Sequence, residues 1–199
     1  AGLGRAVETV RCSLGPASGD GFLRLVLRSL PGGEAVPSSP CSALLQAAPA
    51  LVERAVAACR NRDLPAVFEA GFELVGLGPG FTPAGDDYLG GLLFTLHHMH
   101  RASADLPPWD EGLVAGFLAA TRPLTGWASH AILSDLACGH GPGPLHDLMA
   151  SVLNPAPASE LAVCVDRLCR IGHSSGRDVL AGVLTARWWV AETRDGGER

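Results

Sequence analysis

Gly76-Leu77-Gly78-Pro79-Gly80-Phe81-Thr82-Pro83-Ala84-Gly85-Asp86-Asp87-Tyr88-Leu89-Gly90-Gly91 reads as a tight loop feeding a helix. Its glycines let the backbone turn sharply and let a ligand come close. Thr82 before Pro83 reads as an N-cap followed by proline at the first helical position. The first N–H groups of such a helix are expected to be free and to carry partial positive charge, which suits an anion. Asp86 and Asp87 lie about one turn further in, at roughly 3.6 residues per turn. Beyond them Leu89, Leu92, Leu93, Leu96 and Met99 form an apolar stripe at helical spacing.

A second copy stands near the C-terminus, Gly172-His173-Ser174-Ser175-Gly176-Arg177-Asp178-Val179-Leu180-Ala181-Gly182. Gly85, Asp87, Leu89 and Gly91 recur as Gly176, Asp178, Leu180 and Gly182, each 91 positions further on. Two related loop–helix units are therefore expected to face each other across one pocket. Gly91 and Gly182 are equivalent, and small residues there would let the two helices cross closely and bring both loops to one end.

Working outward, the 199 residues are 47% apolar, enough for a full hydrophobic core. No apolar run approaches the roughly 20 residues that span a bilayer, so no membrane partner is expected. The N-terminal Ala-Gly-Leu-Gly-Arg shows no signal-peptide pattern and no initiator Met, which reads as a trimmed, cytoplasmic chain. Net charge is −5 with no basic cluster, which argues against a nucleic-acid partner. All 15 basic residues are Arg, so neither a P-loop lysine nor a Schiff-base lysine is available. Arg is the remaining cationic anchor, suited to bidentate contact with carboxylate or phosphate. The six cysteines, Cys12, Cys41, Cys59, Cys138, Cys164 and Cys169, form no Cys-x-x-Cys pair and read as buried free thiols.

The fold expected is mainly α with a small β-rich N-terminal element. Residues 1–40 form that element, with strand-like composition at Val7–Cys12 and Phe22–Leu27 and turns at Gly15-Pro16, Gly19–Gly21 and Pro31–Gly33. Residues 41–199 form a helical domain carrying both Gly-rich units. Helices are expected from Leu44 to Ala57 (with Pro49 a kink or restart), Ala66–Val75, Pro83 onward, Glu111–Ala120, Leu124–Ala137, Leu145–Leu153, Ser159–Arg170 and Gly176–Ala191.

Each candidate site residue also has an ordinary structural role. Asp86 and Asp87 in a first turn complement the helix dipole; they also suit a general acid/base pair, acceptance of ligand N–H groups, or a Mg²⁺ ion. Asp87 ranks above Asp86 because it recurs as Asp178. Arg177 stands where the first unit has Asp86, so the two could hold opposite ends of a small polar substrate or form a structural ion pair. His173, Ser174 and Ser175 read as a helix start, with a His–Ser dyad as the catalytic alternative. Gly78, Gly80, Thr82, Gly85, Gly176 and Thr125 complete the substrate-binding set; Arg122 is a further candidate, and Trp127 reads as packing or rim. His97, His98 and His100 read as exposed residues at a helix end, without zinc spacing. Gly76, Gly78 and Gly80 do not make a dinucleotide fingerprint, so no cofactor is expected, Mg²⁺ aside.

The two motifs, Gly-Leu-Gly-Pro-Gly-Phe-Thr-Pro-Ala-Gly-Asp-Asp-Tyr-Leu-Gly-Gly and Ile-Gly-His-Ser-Ser-Gly-Arg-Asp-Val-Leu-Ala-Gly, resemble the AllH-like family over roughly residues 42–190. The resemblance implies a bacterial cytoplasmic subunit of an oxamate carbamoyltransferase complex of allantoin degradation. It implies phosphorolysis of oxalurate to oxamate and carbamoyl phosphate, or the reverse, on a small anionic substrate with other subunits as partners. Members usually carry a larger N-terminal β portion, and often Ser where Thr125 stands here. The alternatives are a non-catalytic subunit that binds small carboxylates or serves as a scaffold, and a Mg²⁺-dependent hydrolase.

Overall fold

The computed structural model describes residues 8–10, 21–29, 47–106, 109–154 and 156–190. Among these the chain is helical, with no strand. The helices are α1 (Phe22–Ser29), α2 (Ala48–Arg60), α3 (Leu64–Leu74), α4 (Ala84–Ala102), α5 (Glu111–Thr121), α6 (Trp127–Ala137), α7 (Gly143–Leu153), α8 (Ala158–Cys169), α9 (Ser175–Thr185) and α10 (Arg187–Val190). Pro49 does not kink α2; it occupies the first turn, where its missing N–H costs nothing. The expected Leu124 start of α6 is instead a 3-10 turn over Arg122–Leu124, and α6 begins at Trp127. Asp63 and Asp110 cap α3 and α5, accepting from Ala66 N at 3.0 Å and Leu113 N at 2.8 Å.

The helical expectation holds for the described residues from 48 to 190, and the β-rich element does not hold where it can be seen. Phe22–Leu27, read as a strand, lies in α1, and residues 8–10 are helical. The reason is amphipathicity. Phe22, Leu23 and Val26 sit on one helical face and are buried, while Arg24 and Arg28 lie one turn apart. The other strand and turn assignments within 1–40 fall outside the described residues.

α4 is the axis of the molecule. Every residue from Gly85 to Leu96 is buried, as expected of a helix surrounded by others. Its most extensive contact is with α9; α6, α3, α7 and α1 also pack on it. That central crossing is set by two glycines. A Cβ on Gly91 would lie 2.0 Å from the Val179 carbonyl oxygen, and one on Gly182 would lie 2.0 Å from the Tyr88 carbonyl oxygen. No larger residue fits either position at this crossing.

The first glycine of each unit does a parallel job. A Cβ on Gly85 would meet the Leu74 carbonyl oxygen at 2.0 Å, and one on Gly176 the Leu168 carbonyl oxygen at 1.9 Å. Each unit thus packs one glycine on the helix before it and another on its counterpart. The repeat in sequence is a repeat in packing.

α1 covers the same crossing. Phe22 is fully buried and stacks on Tyr88, ring centroids 4.9 Å apart, and the Tyr88 hydroxyl donates to Thr185 Oγ1 at 3.1 Å. Trp189 on α10 is buried, and its carbonyl accepts from Arg62 Nε at 3.0 Å.

Candidate functional site at the paired helix starts

The α4–α9 crossing brings the two loops to one end of the molecule. Thr82 Oγ1 and Ser175 Oγ are 3.0 Å apart, a direct hydrogen bond between the loops. Thr82 is therefore not an N-cap. Pro83 occupies that position with no side-chain cap, and the Thr82 hydroxyl reaches across the crossing instead. Ser174 is the N-cap residue of α9, also without a side-chain cap bond to the backbone.

Most first-turn N–H groups are not free, contrary to the expectation from sequence. Gly85 N donates to Leu77 O at 2.9 Å and Asp86 N to Pro83 O at 2.9 Å. In the second unit Gly176 N donates to Ile171 O at 3.0 Å and Arg177 N to Ser174 O at 2.8 Å. Loop carbonyls folded back on the helix satisfy these donors. The N–H groups of Gly78, Gly80, Phe81 and Thr82, and of Gly172, His173 and Ser174, have no acceptor among the described residues.

Asp86 and Asp87 diverge although adjacent. Asp86 is buried with both oxygens in use: Oδ1 accepts from Gly76 N at 2.7 Å, and Oδ2 accepts from Thr125 Oγ1 at 2.5 Å and Ser129 Oγ at 2.6 Å. It ties the glycine loop to the start of α6. Gly76 is required there, with φ of 79° and room for a Cβ closed off by the Leu124 carbonyl oxygen. Ser129 was not singled out from sequence, although it stands one helical turn after Thr125.

Asp87 is 5% exposed, and its Oδ2 is buried with no hydrogen-bond partner. Burial pushes its carboxyl up to about 6; the Ser175 and Thr82 hydroxyls pull it down, and the Asp86 charge adds to the rise. Asp178, its counterpart in the second unit, is 2% exposed and accepts from Phe22 N at 3.2 Å. Burial pushes it up to about 7; Phe22 N–H, the Ser174 hydroxyl and Arg177 oppose this, and the Asp87 charge adds to it. The two carboxyls are thus close enough to feel each other. Their unit-to-unit equivalence, read from sequence, is an equivalence of place.

Arg177 is half-buried, with Nε buried and unpartnered. It forms no ion pair with Asp86, whose oxygens are taken by hydroxyls and a backbone N–H. His173 is exposed, and among the described residues no hydrogen bond joins it to Ser174 or Ser175; the Ser175 hydroxyl meets Thr82 instead. Gly80 is exposed, and the neighbouring Phe81 is 77% exposed. Trp127, expected to be packing or rim, is 85% exposed, and Arg122 is exposed.

The histidines are not at an exposed end. His100 is buried and His97 and His98 are half-buried; His98 Nε2 lies 3.1 Å from Gly139 O, and the rings pack on Phe94, His146, Trp109 and Trp189. Among the described residues no group of three or more His, Cys, Asp or Glu is placed to hold a metal ion. Cys59 and Cys164 are buried free thiols and Cys169 is half-buried, but Cys138 is exposed; Cys12 and Cys41 lie outside the described residues. No described helix is long and apolar enough to cross a membrane. A groove of about 560 Å³ between α7 and α8 is lined by Asp147, Asn154, Glu160 and Arg167 among others and by no residue of the paired loops.

A family model described as oxamate carbamoyltransferase subunit AllH matches residues 74–187, more than half of the chain. The chain belongs to the AllH family. The matched span runs from the end of α3 through α9, so it holds both loops and the central crossing of the AllH-family core. It leaves out α1, which reaches Asp178 through Phe22 N–H. No curated protein and no solved structure matches this AllH-family chain.

Proposed function

We propose that this chain is the AllH-type subunit of an oxamate carbamoyltransferase-like complex, with a small-anion site at the paired loops Gly78–Asp87 and Gly172–Asp178. The observation that carries it is the Thr82–Ser175 hydrogen bond at 3.0 Å, which joins two loops 93 residues apart over one buried pair of carboxyls. Three features support an anion there. Among the described residues, loop N–H groups from Gly78 to Thr82 and from Gly172 to Ser174 have no acceptor and Arg177 carries a buried donor with no partner, and two helix N-termini converge.

The roles follow from the geometry. Gly78, Gly80 and Gly85 shape the first loop, and Gly176 seats the second. Thr82, Ser174, Ser175 and Arg177 offer donors to oxalurate, oxamate or carbamoyl phosphate. Asp87 and Asp178 face the amide end of these molecules, and His173 stands at the rim, where it could move a proton. Asp86 and Thr125 position the first loop. Transfer would rest on placement and charge stabilisation rather than on a protein nucleophile.

Asp87 and Asp178 are almost wholly enclosed, so a ligand reaches them when the loops part or a partner subunit reshapes the mouth. This favours a site completed within a complex. The test is turnover by the complex reconstituted with Asp87→Ala. The reading expects activity to fall by roughly a hundredfold or more, the usual scale for losing a positioned proton-transfer group. Full activity with a folded variant rejects it. A variant that changes assembly but not turnover favours a non-catalytic role.

A further inference from the structure

We propose that Phe81, Leu124 and Trp127, with Arg122 beside them, form the docking surface for another subunit of the complex, one that presents an apolar face edged with carboxylates. The proposal rests on the site reading above and adds where the partner sits, at the mouth of the paired loops.

Its first support is exposure gathered in one place. Trp127 is 85% exposed, Phe81 77% and Leu124 41%. A lone exposed apolar side chain needs no explanation, but several together mark an interaction surface. One carboxylate draws together the segments that carry these three. Phe81 lies between Gly76 and Asp86 in the chain, and Trp127 between Thr125 and Ser129. Asp86 accepts from Gly76 N at 2.7 Å, from Thr125 Oγ1 at 2.5 Å and from Ser129 Oγ at 2.6 Å. Leu124 adjoins the same loop, since its carbonyl oxygen would lie 2.3 Å from a Cβ on Gly76. Ser129 turns inward to that carboxylate. Trp127 stands two residues earlier on α6, about 200° around the helix, and so faces outward. Covering the two aromatic rings would remove roughly 300–400 Å² from water, a fitting apolar centre for an interface of about 800 Å² per partner.

Charge selects the occupant. Residues 75–85, 122–134 and 171–177, the three segments at the mouth, contain no Asp or Glu, although the whole chain carries −5. Asp86, Asp87 and Asp178 are buried behind them. Arg122 is exposed and in no ion pair among the described residues, and Arg177 is half-buried with an unpartnered Nε. The surface is therefore apolar and cationic. A second copy docked face to face would set cation against cation, whereas carboxylates at a different subunit's rim would pair with these arginines. Two arginines are too few to track a phosphate backbone. The family's description as an enzyme subunit supplies such a partner protein.

The test uses the remaining subunits of the complex, purified without this chain, and measures their binding to it by biolayer interferometry. Phe81→Ser and Trp127→Ser should each weaken binding at least about tenfold with unchanged circular dichroism, because exposed rings contribute little to the fold. Arg122→Glu should slow association and flatten its dependence on salt. Val163→Ser, which removes a 58% exposed side chain on α8, should bind as wild type. A photo-crosslinker in place of Trp127 should join the chain to another subunit. Wild-type binding by both aromatic variants overturns the proposal, as does a crosslink only to a second copy or to nucleic acid. Normal assembly with weakened oxamate binding in those variants also overturns it, making the rings ligand contacts. Weakened assembly in the aromatic variants, alongside full turnover by a complex carrying Asp87→Ala, upholds the docking surface and rejects the site reading. Normal assembly in them, with turnover lost in Asp87→Ala, overturns the docking surface alone.

Discussion

Gly91 and Gly182 each lie against the backbone of the other's helix: a Cβ on the first would stand 2.0 Å from Val179 O, and one on the second 2.0 Å from Tyr88 O. This reciprocal contact holds the two loop–helix units in register. Substituting either glycine forces α4 and α9 apart, and with them the loops they carry.

Gly91→Ala and Gly182→Ala should each destabilise the protein by about 3 kcal/mol or more, since neither backbone can yield without repacking the core. Gly116→Ala is the control. Nothing lies within 4 Å of a Cβ there, on the exposed face of α5, so the change should stabilise by about 0.5–1 kcal/mol. Urea denaturation measures all three. Tolerance of Ala at both 91 and 182 would show that the crossing is looser than described.

Asp86→Ala removes three hydrogen bonds to one buried side chain and strands the Thr125 and Ser129 hydroxyls. A loss of about 3 kcal/mol or more is expected. The loss should appear locally as faster hydrogen exchange at Gly76 N–H, whose acceptor is gone. Protection at Gly76 equal to wild type would contradict the tie.

Phe22→Ala should cost about 3–5 kcal/mol, the scale for emptying a buried aromatic site. The value matters because α1 lies outside the span matched to the AllH family, yet stacks on Tyr88 and donates to Asp178. A near-neutral change would mean that α1 is an appendage.

The raised carboxyls fix the sign of one pH effect. Asp87 at about 6 and Asp178 at about 7 bind protons more tightly when folded than an ordinary exposed aspartate, near 3.8, does. Their stabilising protons are in place at low pH and are lost as pH rises through the folded values, so their contribution falls between about pH 4 and 7. Asp178→Asn keeps an acceptor for Phe22 N–H and carries no charge. Its stability relative to wild type should therefore improve by about 2 kcal/mol from pH 5 to pH 8. Thermal denaturation across that range measures the difference; a flat or opposite trend would contradict the pair's burial.

What was legible in the sequence was what repeats. The spacing of Gly85, Asp87 and Gly91 recurs around Asp178, and the structure brings those positions together because glycine spacing reports backbone approach directly. Phe22–Leu27 reads as a strand because so short and nearly continuous an apolar run fits a buried strand and a helix alike; packing on Tyr88 decides it. Thr82 was misread because local grammar makes it a cap, while a partner 93 residues away claims its hydroxyl. Asp86 and Asp87 could not be told apart by position. Only the Thr125 and Ser129 hydroxyls, brought in by tertiary structure, show that one carboxylate is spent and the other keeps an unpartnered oxygen.

The most direct measurement is backbone amide NMR of the purified chain titrated with oxamate and with carbamoyl phosphate. Saturable shifts are expected at Gly78, Gly80 and Gly85 in the first loop and at Gly172 and Gly176 in the second, moving together. Saturable shifts confined to the groove between α7 and α8, or to one loop alone, would contradict a site shared by the two units.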